Sequence, residues 1–158
     1  MTAWQSNTRI TVRRAEASDA EAIQGLYLEL VANPAVSVLP ERIAELALDS
    51  NTLLFVAETE GAVVGTVLAA LCQDVMFRRQ PFAVIENVVV SSTCRRLGVG
   101  AALLKEVERH CLAAQCSKIM LLSSVKRTEA HIFFKRAGFV GSLKMGFIKY
   151  RRQFEAAG

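Results

Sequence analysis

Two arginines and two glycines in one short turn carry the first chemical signal of the chain. Arg95, Arg96, Gly98 and Gly100 lie within VIENVVVSSTCRRLGVGAALL, which runs from Val84 to Leu104. Before them stands a run rich in β-branched residues, Val84 to Val90, apolar on both faces as a central strand must be. After them, from about Val99, the residues Leu103, Leu104, Val107 and Cys111 recur at three- and four-residue spacing, the period of a helix with one buried face. A helix that opens on glycines offers free N–H groups and the positive end of its dipole. With two guanidinium groups beside it, the turn reads as an anion site, and phosphate is the fitting guest.

Two familiar phosphate loops do not fit. A P-loop needs lysine after the second glycine, where Ala101 stands. A dinucleotide fingerprint needs a third glycine where Leu103 stands. A plainer reading stays open, a strand-to-helix turn whose glycines serve only close packing. The second signal is Glu86, a carboxylate inside the apolar strand. In a regular strand it shares a face with Val84, Val88 and Val90. Burial there is expensive and raises a carboxyl pKa toward the range of a general base. The alternative is a structural ion pair with Arg78 or Arg79. Asn87 falls on the other side, where a packing or hydrogen-bonding role is expected.

The elements that must position these groups read off in order. Met1 to Thr8 is a loose end, and Ile10 to Arg14 a first strand. Ser18 to Glu21 forms an S-x-x-E capping box ahead of Ile23, Leu26, Tyr27 and Leu30 on one helical face. Asn33-Pro34 ends that helix, and Pro40 opens a short second one through Leu48. Thr52 to Thr59 and Ala62 to Leu71 pair across a turn at Glu60-Gly61. Cys72 to Pro81 is a loop. Lys118 to Ser123 is a further strand. Thr128 to Arg136 is a helix with Ala130, Phe133, Phe134 and Ala137 on one side, stopped by Gly138. Phe139 to Leu143 and Phe147 to Arg151 close the chain as a hairpin around Gly146. The expected order is β-α-α-β-β-β-α-β-α-β-β in a single domain.

Composition narrows the classes. The 158 residues suffice for one domain with a real core, and a hydrophobic share of 52% excludes disorder for the bulk of it. A net charge of +4 suits an anionic small ligand. Dispersed positive residues and few aromatics argue against nucleic acid. No apolar run reaches membrane-spanning length, and no export signal is seen at the start. The four cysteines (Cys72, Cys94, Cys111, Cys116) contain no C-x-x-C pair, so a reducing cytoplasm is the expected compartment.

Together the order of elements and two motifs resemble the GNAT superfamily of N-acetyltransferases. One motif is Arg95-Arg96-Leu97-Gly98-Val99-Gly100-Ala101. The other is Ala130-His131-Ile132-Phe133-Phe134-Lys135-Arg136-Ala137-Gly138-Phe139. The resemblance spans about residues 9 to 152. It implies an α/β (α+β) GNAT fold: a mixed, mostly antiparallel sheet of about seven strands, splayed at the middle and flanked by four helices. It implies acetyl-CoA as cofactor, coenzyme A as product, no metal, and a small amine or protein amine as acceptor. The pantetheine arm would bond the backbone of Val88, Val89 and Val90. The pyrophosphate would sit on amides from Arg96 to Ala101, with Arg95 beside them. A homodimer is a further expectation.

The resemblance also implies direct transfer. A neutral amine attacks the thioester, Glu86 takes a proton through water, and an amide near Val88 steadies the oxyanion. The family usually has tyrosine where Phe134 stands, so the hydroxyl that meets the leaving sulfur is missing here. Phe134 can still pack on the cofactor, and substitute donors are Ser123, Ser124 or Tyr150. Arg127, with Lys126, is expected either at the cofactor phosphates or in a solvated loop. His131 reads as a helix-surface hydrogen bond, and Cys94 as an inert thiol beside the basic turn, with a covalent relay as the alternative. The second functional class is a catalytically silent acyl-CoA-binding module that regulates a partner.

Overall fold

The computed structural model describes residues 8–154, which group into two compact units, one reaching to Leu121 and one starting at Leu122. The expected loose end at Met1 to Thr8 lies, Thr8 apart, outside the described residues. The first unit runs β1 (Ile10–Arg14), α1 (Ala20–Leu30), α2 (Pro40–Ala47), β2 (Thr52–Thr59), β3 (Ala62–Cys72), β4 (Phe82–Val90), α3 (Val99–Ala113) and β5 (Ile119–Leu121). Its five strands form one sheet in the order β1-β2-β3-β4-β5, antiparallel except for the parallel pair β4 and β5.

β2 is the keystone. Leu53 through Ala57 are all buried, so both faces of the sheet are covered. On one face Leu54 and Val56 pack with Ala20, Ile23 and Ile43 from α1 and α2. On the other, the Phe55 ring lies 4.9 Å from the His110 ring of α3. The α3 stripe is the one expected: Val99, Leu103, Leu104, Val107 and Cys111 are buried.

α1 is nucleated differently from the S-x-x-E reading. A single 3-10 turn, Ala17–Asp19, precedes it, and Asp19 Oδ2 accepts the Glu16 N–H at 2.7 Å. Asp19 also takes a bidentate bond from Arg13, at 2.8 and 2.9 Å. The buried aspartate thus outcompetes Ser18, because it answers an orphan amide and an arginine at once.

The second unit holds α4 (Thr128–Arg136). Gly138, at φ +92°, ends it. There Gly138 N–H donates to Lys135 C=O and Phe139 N–H to Phe134 C=O, the left-handed glycine cap that releases the chain from the helix. The expected closing hairpin is absent, so the sheet has five strands rather than seven. Residues 141–150 are exposed and carry no strand ladder. Strand propensity reflects fit to a half-covered pleated surface, and Leu143, Met145, Phe147 and Ile148 have none to lie on. The chain does return near Leu122: a Cβ on Gly146 would meet Leu122 Cδ2 at 2.6 Å. Among the described residues no helix is long and apolar enough to cross a membrane, and no cluster of acidic, His or Cys side chains could hold a metal.

Candidate active site

The site begins with an irregularity in β4. Its pairing with β5 stops at Ile85 and Leu121, so Glu86 to Val90 are paired only on the β3 side. Within that stretch the register with β3 slips by one residue, and Asn87 sits at φ +54°. This is a β-bulge. Its effect can be followed through the main chain. Ala83 N–H donates to Lys118 C=O, toward β5, whereas Ser91 N–H donates to Val64 C=O, toward β3. They are eight positions apart, an even offset, so an unbroken strand would send both the same way. The extra residue reverses the alternation. Val89 then pairs with Thr66 and lies in the core, while Val88 and Val90 turn their main-chain groups to the uncovered edge.

The bulge also corrects the reading of Glu86. Ala83, Ile85 and Val89 are buried, Val84, Val88 and Val90 half-buried, and Glu86 exposed. The burial expected of Glu86 from the sequence is therefore absent, and its carboxylate stands in solvent. The alternative ion pair is missing too: neither Arg78 nor Arg79 bonds it among the described residues. Asn87 does meet a polar partner: its side-chain amide faces the hydroxyl of half-buried Tyr27 on α1, where burial pushes the phenol pKa up and the nearby amide pulls it back down.

The basic turn follows β4 directly. Ser92 to Cys94 form a 3-10 turn whose first amide, Ser92 N–H, donates to Glu29 Oε2 at 2.9 Å. Arg96 at φ +65° and Gly98 at φ +87° then bend the chain into α3. No side chain caps the helix, and its first turn carries no acidic residue. Ala102 N–H already donates to Gly98 C=O at 3.0 Å. The N–H groups from Arg95 through Ala101 have no acceptor among the described residues. Arg95, Arg96, Leu97 and Gly98 are exposed, and neither guanidinium is paired there. Val99 sends its side chain into the core, leaving only its amide available. Seven consecutive amides, a dipole end and two free guanidinium groups fit a diphosphate.

In the second unit the candidates divide. Ser123 Oγ is buried and has no partner among the described residues. Ser124 is exposed: its hydroxyl accepts Lys126 N–H at 3.4 Å, and its carbonyl accepts both Arg127 N–H and His131 Nε2–H. His131 therefore does the structural work expected of it, pinning the turn that leads into α4. Tyr150 is 55% exposed, under the guanidinium of Arg152. Arg127 is exposed at the start of α4. Phe134 is buried, its ring 5.2 Å from Phe133 and 6.0 Å from Phe139. Cys94 is half-buried against the Thr93 hydroxyl. Tyr27 and Glu29 were not singled out from sequence. A polar Asn87 amid β-branched residues was the available sign of a bulge, since asparagine tolerates positive φ.

Comparison with known proteins assigns the chain to a family. The model of the acetyltransferase (GNAT) family matches residues 21–139, which cross from the first unit into the second. The chain belongs to that family. An uncharacterized N-acetyltransferase of Methanocaldococcus jannaschii is 34% identical over 86 residues, 54% of this chain and 51% of that protein. The match thus spans about half the length of this curated relative. A presumed acetyltransferase from Agrobacterium tumefaciens superimposes with a TM-score of 0.79 at 27% identity, over 89% of this chain and 99% of that one. Glucosamine-6-phosphate N-acetyltransferase from Arabidopsis thaliana gives a TM-score of 0.78 at 23% identity, over 90% and 99%. The latter likeness speaks for the fold alone.

Proposed function

We propose that the chain transfers an acetyl group from acetyl-CoA to a primary amine by direct attack in a ternary complex. The observation that carries this reading is the run of unpartnered amides from Arg95 to Ala101, placed beside a strand edge that the Asn87 bulge has opened. The amides and the two arginines hold the diphosphate, and the main chain of Val88 and Val90 bonds the pantetheine arm. Acetyl-CoA supplies an activated acyl carbonyl and a thiol leaving group. The Val88 amide is the oxyanion donor. Glu86, exposed and without an ion-pair partner among the described residues, takes a proton from the substrate ammonium through water, and the neutral amine so formed attacks the thioester carbonyl. Of the three substitute acids, Ser123 has a hydroxyl closed off from solvent and without a partner among the described residues, whereas Ser124 and Tyr150 are exposed. A thiol with a pKa near 8.5 also leaves tolerably as thiolate, so the acid need not be strong.

Phe134 favours a second reading, an acyl-CoA-binding module without turnover, because it carries no hydroxyl where the family usually has one. Incubation with acetyl-CoA and a panel of amines, read as thiol release, separates the two. The enzyme reading expects turnover, with kcat reduced about a hundredfold by Glu86→Gln. Tight binding without release of thiol across the panel contradicts it.

A further inference from the structure

We propose that α1 is a clamp that holds the cofactor edge of β4 in register, with Tyr27 and Glu29 as positioning residues. The inference rests on the reading of Val88 and Val90 as that edge. Two separate contacts carry it. Tyr27 reaches the side chain of Asn87, the residue on which the bulge turns. Glu29 Oε2 takes the Ser92 N–H at 2.9 Å, just past the end of the strand. The two contacts bracket Val88 to Val90, the stretch that has lost its β5 neighbour. Asn87 holds a left-handed conformation that non-glycine residues adopt only with support from their surroundings. The helix making both contacts is itself well seated. Ile23 and Leu26 are buried, and Gln24 Oε1 accepts Val38 N–H at 3.0 Å. An edge strand paired on one side would otherwise be free to slip by a residue, and such a slip reverses which groups face the cofactor. Tyr27 and Glu29 touch neither acyl group nor amine in this account. They act through the geometry of the edge, where small displacements are amplified.

The test compares CoA with ADP, which carries the diphosphate and lacks the pantetheine arm, by calorimetric titration of the full chain. The wild type binds CoA. The double variant Tyr27→Phe with Glu29→Ala binds CoA about tenfold more weakly, because it loses the Glu29 hydrogen bond to Ser92 and the polar contact of Tyr27 with Asn87. Its affinity for ADP stays within about twofold of the wild type, because the turn from Arg95 to Ala101 is untouched. Glu29→Gln recovers most of what Glu29→Ala loses, since an amide oxygen still accepts the Ser92 N–H. If the double variant does not fold, Tyr27→Phe alone carries the comparison. Unchanged CoA affinity in a folded variant overturns the clamp, as does a parallel loss for CoA and ADP. A wild type that fails to bind CoA overturns the parent reading, and the clamp with it.

Discussion

A Cβ placed on Gly65 would lie 2.9 Å from Val99 Cγ1, so β3 carries glycine where the first turn of α3 comes down on the sheet. The same Cβ would meet Leu103 Cδ1 at 3.1 Å and the Val89 carbonyl at 3.3 Å. Close approach on this face fixes the depth of the helix end that presents the free amides. Gly65→Ala is expected to destabilise the fold by about 1–3 kcal/mol by overpacking, measured by denaturant unfolding. It is also expected to weaken CoA binding, because the α3 N-terminus must move outward.

Gly98 poses the opposite case. Its φ is +87°, but the nearest atom to an added Cβ, Ile10 Cδ1, is 3.9 Å away. Space is free and the backbone is the constraint. Gly98→Ala therefore costs roughly 1–2 kcal/mol of conformational strain, without a clash. Titration of the variant should show a greater relative loss in CoA affinity than in stability. Equal losses would mean that the turn serves packing alone.

Arg13 holds the buried Asp19 carboxyl well below the usual carboxylate range, chiefly through their bidentate hydrogen bond. Glu58 completes the group from β2, 2.5 Å from the Arg13 guanidinium. A depressed folded-state pKa adds stability that is complete above the unfolded value of about 3.9 and is lost as pH falls through the lower folded value. Thermal melts should therefore show wild-type stability falling below about pH 4 more steeply than that of Asp19→Asn. At neutral pH the same substitution is expected to cost about 1–3 kcal/mol.

Burial pushes the Cys111 thiol up to about 12, with Cys116 adding to the effect. Thiolate is the reacting form, so Cys111 should resist thiol reagents in the folded protein and react only on unfolding. Counting modified thiols against the chain's four cysteines before and after denaturant checks this. Full labelling of the native state would contradict the packing of α3.

The sequence was most readable where period and composition agree. The α3 stripe, the β2 and β3 hairpin and the start of α2 at Pro40 follow from apolar spacing and turn residues, and all appear in the structure. It was least readable where one residue alters a register. Regular alternation hid Asn87, and with it the exposure of Glu86 and the outward turn of Val88 and Val90. The N-terminal cap of α1 misled for a similar reason. Asp19 wins over Ser18 through Arg13, a partner on a different element that no local pattern displays. The closing hairpin failed because an alternating apolar run names a strand only when a surface exists to cover it.

Amide chemical shifts followed by NMR while CoA is added report directly on whether the free main-chain groups grip the cofactor. The largest shifts are expected on the amides from Arg96 to Ala101 and on Val88 and Val90, with Gly98 among them. Shifts confined to other parts of the molecule, with those amides unmoved at saturating CoA, would contradict such a grip.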